Sequence, residues 1–273
     1  FTARQQVRDK IEGFNQGIYE YRIALVDVET KRLKSFDERD PSVVSVLPGK
    51  PGKILISFSE GGNDGIGAKV QAAFRPRAYW EFDLERGTKK LLVRGKISLG
   101  NIDFDENGNP ILARGFDIDT GDFIWFWRKP GETDWTEFYR LNEDSFDTFR
   151  VFGPDPDLPG HFLVEANRGS DTTGLWSFNA ATKEFAEAIY QRTDVDICGV
   201  RYHSNAWTHA DTIVGVTHCK DKPIVEFFDD EEAALQRQLE ALLPHAYSAR
   251  ITSRSREGSS LTVRNLGPRD PGS

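Results

Sequence analysis

Three groups of residues in this 273-residue chain are of types that could do chemistry. His203, His209, His218 and Cys219 are zinc-ligand types, but their gaps of 6, 9 and 1 fit no common zinc template. They converge only if neighbouring strands bring them together, and the plainer reading is two strand pairs with polar and aromatic partners. Asp103-x-Asp105-x-Asn107-Gly108 matches the first half of a calcium loop. The position that should hold a bidentate Glu is Arg114, and the flanks read as strands, so a tight turn capped by side chains is expected instead. A serine nucleophile needs G-x-S-x-G on a strand-to-helix turn, and no such pentapeptide occurs. The serine-rich stretch Ser253–Ser260 lacks that spacing and reads as a turn. No catalytic, cofactor-binding or metal residue is therefore assigned, and no cofactor is expected.

Other candidates are less specific. Asp117, Asp119 and Asp122 read as a solvated hairpin end. Paired carboxylates of a glycosidase would have to converge across a tunnel, which spacing cannot show. Trp80, Trp125, Trp127 and Trp176 sit within strand patterns and are expected in the core. Trp135 and Trp207 are less determined and could line a binding surface. Cys198 and Cys219 make no disulfide framework; they could pair across adjacent strands, but the default is two buried thiols.

The elements that would position these residues repeat. A turn followed by a β-rich run recurs with centres at Leu55, Leu112, Leu163, Val214 and Thr262, spaced by 57, 51, 51 and 48 residues. A second element, an apolar alternation ending in a polar turn, interleaves with it. It occurs at Ile23–Asp27, Tyr79–Asp83, Phe123–Trp127, Leu175–Asn179 and Pro223–Phe228. Two strand signals at one period make a repeating antiparallel sheet unit. Radial stacking of such units gives a β-propeller of about five units of roughly 50 residues. A sandwich also has evenly spaced strands but need not repeat internally. One helix breaks the pattern near 230–243. Asp229 would cap it, with Glu232 completing a capping box. Leu235, Leu239, Leu242 and Leu243 would share a face, and Pro244 would end it.

Composition adds exclusions. The net charge is -8 with no basic stripe, so no nucleic-acid partner is expected. No apolar run reaches membrane-span length. The compartment stays open. The chain opens on Phe1 and holds no Met. Further blade sequence is expected before Phe1 and after Ser273, with 1–20 and 255–273 lying at blade faces rather than sealing a ring.

The hairpin phrases Asp27-x-x-Thr30, Trp80-x-Phe82-Asp83-x-x-x-Gly87 and Trp176-x-Phe178-Asn179-x-x-Thr182 resemble propeller hairpins of prolyl-oligopeptidase-family serine peptidases. The acylaminoacyl-peptidase-like bacterial branch fits best. The order of Asp105-x-x-Gly108-x-Pro110, Trp135-x-x-Phe138, Val225-x-Phe227-Phe228-Asp229, Ser253-x-Ser255-x-x-Gly258 and Asp270-Pro271-Gly272 is similar to the later part of such propellers. The resemblance implies that residues 1–273 are part of a larger, commonly seven-bladed propeller. It also implies a partner, an α/β-hydrolase domain that follows in the same parent chain and carries a Ser-Asp-His triad. That domain is not in this chain, and no triad residue carries over. The function implied is a non-catalytic domain that limits access of peptide substrates. The alternatives are a stand-alone propeller binding a protein or glycan, and a propeller glycosidase.

Overall fold

The computed structural model describes residues 2–8, 18–38, 40–59, 76–220, 223–243 and 248–266. Among the described residues there are twenty strands in six antiparallel sheets, and one helix. The first sheet pairs β1 (Thr2–Arg8), β2 (Ile18–Val26) and β3 (Leu33–Ser35). The second holds β4 (Ser42–Ser45), β5 (Lys53–Ser59), β6 (Arg77–Asp83) and β7 (Lys89–Arg94). The third holds β8 (Gly100–Phe104), β9 (Pro110–Asp117), β10 (Asp122–Trp127) and β11 (Thr136–Asn142). The fourth holds β12 (Phe149–Pro154), β13 (His161–Ala166), β14 (Gly174–Asn179) and β15 (Glu184–Tyr190). The fifth has β16 (Ile197–Tyr202), β17 (Ile213–Cys219) and β18 (Pro223–Phe227). Helix α1 (Asp230–Leu242) follows, and the sixth sheet pairs β19 (Ser248–Arg254) with β20 (Leu261–Leu266).

The central strands are buried on both faces, which is why they read as near-continuous apolar runs rather than clean alternations. In β5, Ile54 and Ile56 pack with Phe82 against Ile23 and Phe36 of the first sheet. Leu55, on the opposite face, packs with Leu47 and Tyr79 against Ile102 and Ala113 of the third. Phe36 and Phe82 meet edge to face, with centroids 4.9 Å apart. The Ile102 amide donates to the Tyr79 hydroxyl at 3.1 Å, a polar tie within the apolar contact. Likewise Leu163 and Leu175 of the fourth sheet pack on Ile197 and Val216 of the fifth. Antiparallel meanders stacked face to face are the blades of a β-propeller, and the chain is all-β of this type. It forms two compact units, Phe1–Glu143 and Asp144–Ser273, with three sheets in each.

The two sequence series run one sheet out of step. The turn-led centres fall on β5, β9, β13, β17 and β20; the alternation segments fall on β2, β6, β10, β14 and β18. Together they touch six sheets, and twenty strands at four per blade are five blades' worth. The stretch before β2 held a strand that periodicity passed over: β1 is TARQQVR, too polar to stand out, and it pairs with β2 through Ala3 opposite Arg22. β20 pairs with β19. Residues 9–17 and 267–273, on which the expectation about the chain's ends turns, lie outside the described residues, as does Pro244.

Helix α1 starts where Asp229 predicts it, the Asp229 carboxylate accepting the Glu232 amide at 2.8 Å. It ends at Leu242 with Leu243 as its C-cap, within the span expected, but the apolar face and the capping box are corrected. Leu242 is 78% exposed, and Glu232 is the residue of α1 that is buried. The Glu232 side chain completes no capping box, because Ser204 claims it.

Candidate functional site

The chemistry-bearing residues gather where β16 leaves the fifth sheet. The connection from β16 to β17 folds on itself, with the His203 amide donating to Thr212 O at 2.8 Å and the His209 amide to Asn205 O at 3.0 Å. This stacks the His203 and His209 rings with centroids 4.0 Å apart. His203 Nδ1 accepts the Asn205 amide at 3.0 Å, which puts the ring proton on Nε2. Asn205 is buried and donates to Ser255 O and Arg256 O, tying the connection to the β19–β20 hairpin. Its carboxamide oxygen accepts the Trp207 amide at 3.1 Å.

Between this connection and β19 lies a cavity of about 240 Å³. Arg201, His203, Trp207, Arg250, Ser253 and Arg254 are among its lining residues. Behind them sits Glu232 of α1, 5% exposed. Its carboxylate accepts the Ser204 amide at 3.1 Å and the Ser204 hydroxyl at 2.7 Å. Arg254 Nη1 lies 3.6 Å from Glu232 Oε1 and donates to Ser204 Oγ at 3.1 Å. His203 Nε2 is also 3.6 Å from Glu232 Oε1, too long for a hydrogen bond. Burial, and secondarily the charge of Arg250, push the Arg201 guanidinium below its ordinary pKa. Its guanidinium approaches Gln236 Oε1 at 3.5 Å, and the Glu232 carboxylate offsets part of that push.

A second network joins the fourth and fifth sheets. Tyr190 Oη donates to Glu226 Oε2 at 2.7 Å and lies 2.8 Å from His218 Nε2, which is 3.1 Å from Glu226 Oε1. Burial and the Glu226 carboxylate push Tyr190 up to about 12, so the phenol is held as a donor and is a poor base or nucleophile. Arg192 pairs with Glu226 and Asp194, and Lys220 with Asp194. The network is a polar clamp between sheets.

No protein-family profile and no curated protein matches the chain. Several solved structures are similar to it. The β-propeller domain of the trilobed protease from Pyrococcus furiosus, described as having an open velcro topology, is similar at TM-score 0.42 and 10% identity, over 84% of this chain and 78% of that one. Acylaminoacyl peptidase from Pyrococcus horikoshii gives TM-score 0.40 and 11% identity, over 97% of this chain and 40% of that one. TolB from Acinetobacter baumannii gives 0.42 and 14%, over 78% and 47%. The chain spans less than half the length of the last two.

The structure places most of the candidates from the sequence. His203 and His209 stand together, whereas His218 belongs to the Tyr190 clamp. Among the described residues no group of three His, Cys, Asp or Glu side chains could hold a metal ion. The Cys219 side chain lies outside them. Cys198 is disulfide-bonded, which corrects the reading of two buried thiols. It was hidden because pairing depends on which strands adjoin: β16 pairs with β17, Ile197 opposite His218. Asp105 accepts the amides of Asn107 and Asn109 at 2.9 and 2.7 Å, the side-chain-capped turn expected there. Asp117 and Asp122 share Arg140 at 3.0 and 3.1 Å, and hydrogen bonds hold both below the ordinary carboxylate range. A glycosidase acid needs the opposite shift.

Trp125, Trp127 and Trp176 are buried, Trp176 donating to Ala166 O at 3.0 Å, and Trp80 stacks on Phe58. Trp135 lies under Arg128, and Trp207 stays 49% exposed at the cavity. Residues 255–260 form the β19–β20 turn, closed by the Ser255 amide donating to Ser260 O. Sequence reasoning passed over Arg201, Arg250 and Arg254, and gave Glu232 a capping role only. The available signal was long basic residues inside strand patterns, where apolar or short polar side chains are the rule.

Proposed function

We propose that this chain is a non-catalytic propeller domain limiting access of oligopeptides to an α/β-hydrolase serine-peptidase domain in the same parent protein. The observation that carries the reading is a hairpin device repeated at the residues of the family resemblance. Asp27, Asp83 and Asn179 each accept, through a side-chain oxygen, the amide three residues on: Thr30 at 2.7 Å, Arg86 at 2.9 Å and Thr182 at 2.9 Å. The residue four on is left-handed in every case, with φ of 56° at Lys31, 70° at Gly87 and 62° at Lys183. The short motifs of the resemblance thus coincide with one turn geometry in three separate blades.

The non-catalytic part rests on what the serines do. The sequence holds no G-x-S-x-G pentapeptide, and the Ser204 hydroxyl beside His203 gives its proton to Glu232. An unassisted serine is a weak nucleophile. The test is labelling by a fluorophosphonate probe of this chain and of the product of the whole reading frame that encodes it. The expected result is no label on the chain and stoichiometric label on the whole product, at a serine in G-x-S-x-G. A labelled chain, or an unlabelled whole product, overturns the reading. The cavity beside Trp207 favours a second reading, a stand-alone binding propeller, and an unlabelled product would leave that one standing.

A further inference from the structure

We infer that the cavity between β16 and β19 binds the oxyanion group of a small ligand, a carboxylate or phosphate, with Arg201 and Arg250 as its counter-charges. The argument begins with charge. Three guanidiniums line the cavity, and one carboxylate stands behind it. Glu232 is taken by Arg254 and by both donors of Ser204. Neither Arg201 nor Arg250 forms an ion pair among the described residues; Arg201 approaches a neutral amide oxygen at 3.5 Å and feels the Glu232 charge only from further off. Arg201 is half-buried, and Arg250 adds like-charge repulsion that a bound anion would relieve. Paired guanidinium forks match the two oxygens of a carboxylate or the faces of a phosphate.

The second observation is the rim. Trp207 leaves about half its surface in water, at an edge whose backbone is fixed by buried Asn205 and, through it, by the β19–β20 hairpin. An exposed aromatic on a fixed backbone beside a charged cavity is a surface for the apolar or planar body of a ligand. The volume is below the ~300–1,000 Å³ of drug-sized sites, so the site suits a single small group and not a polymer. The inference does not depend on a hydrolase partner.

The test is isothermal titration calorimetry of the chain with benzoate, with its neutral counterpart benzamide, and with inorganic phosphate. Saturable binding of benzoate or phosphate is expected, benzoate binding at least tenfold tighter than benzamide wherever benzoate binds. Benzoate alone assigns the site to carboxylates, phosphate alone to phosphates, and both to oxyanions in general. Arg201→Gln and Arg250→Gln should each weaken binding tenfold or more. Arg250 is exposed, so its variant stays folded, as circular dichroism will verify, and keeps the test decisive if Arg201→Gln unfolds. No saturable heat up to about 10 mM, equal binding of benzoate and benzamide, or unchanged affinity in Arg250→Gln would overturn the inference.

Discussion

Replacing Glu232 by Gln removes one charge from the hub beside the cavity and little else. The side chain keeps its size, and the carboxamide oxygen can still accept the Ser204 hydroxyl. The other oxygen becomes an NH₂ facing the Ser204 amide, so the 3.1 Å bond is lost. A hydrogen bond to a charged group contributes about 1.5–3 kcal/mol. Arg254, 3.6 Å away, loses its counter-charge. Stripping a fully buried pair of one partner costs ~3–5 kcal/mol, but the Arg254 side chain is 26% exposed and water recovers part of that. Together these give about 3 kcal/mol. The start of α1 is spared, because the Asp229 cap uses the backbone amide of residue 232. Asp229→Ala is therefore the matched control, expected to cost about 1 kcal/mol. Urea unfolding followed by tryptophan fluorescence measures both variants. A loss within about 0.5 kcal/mol of wild type for Glu232→Gln, or one no larger than that of Asp229→Ala, would refute the hub.

Three further outcomes follow from the blades. Gly115→Ala should destabilise by about 3 kcal/mol, because a Cβ there would land on the Ser98 carbonyl, which is backbone and cannot swing away; wild-type thermal stability in this variant would contradict the approach of the 96–99 turn to β9. Lys183→Gly should stabilise by about 1 kcal/mol, since exposed Lys183 holds φ 62° with nothing to gain from its Cβ, whereas Lys183→Ala should show no gain in the same melt. Glu81 is gripped by Lys50 at 2.7 Å and Lys53 at 2.6 Å, which hold its carboxyl below the ordinary range. Its folded pKa lies below its unfolded one, so its contribution is present above the ordinary carboxylate range and lost as pH falls through the folded value. Glu81→Gln should cost about 1–2 kcal/mol at neutral pH, the lysines being over a third exposed, and the gap to wild type should narrow as pH falls below the ordinary carboxylate range; a gap that does not narrow on acidification would rule out the ion pairs as its cause.

How much of this was legible depends on the range of each interaction. Turns were readable because their requirements are local: Asp83 with Gly87, or Asp105 with Gly108, supplies side-chain acceptor and left-handed residue within five positions. Strands buried on both faces were readable because runs such as Ile54–Ile56 have no solvent side to punctuate. β1 was missed for the opposite reason, since its place is set by pairing with β2 and its own residues are polar. The start of α1 was visible in Asp229, but its buried face was not. Leucine periodicity assumes an apolar neighbour, and α1 instead offers Glu232 to Ser204 and Gln236 to the Ala249 carbonyl. Those partners lie 28 residues before and 13 after, and no local window contains them.

That misreading leads to why the cavity sits where it does. A regular blade satisfies its backbone by pairing four strands, leaving only the outer edges to be managed. Among the described residues the fifth sheet has three strands, and α1 follows β18 directly. A helix satisfies its own backbone and donates none of it to a neighbour. Its side chains reach neighbours instead, Glu232 meeting the Ser204 amide and Gln236 the Ala249 carbonyl. Side chains bring charge where a strand brings neutral amides. With one carboxylate supplied from α1 and three guanidiniums from β16 and β19, the balance is positive, and it lies beside an exposed indole. The helix that departs from the repeat thus supplies the carboxylate behind the cavity, and β16 and β19 supply its guanidiniums.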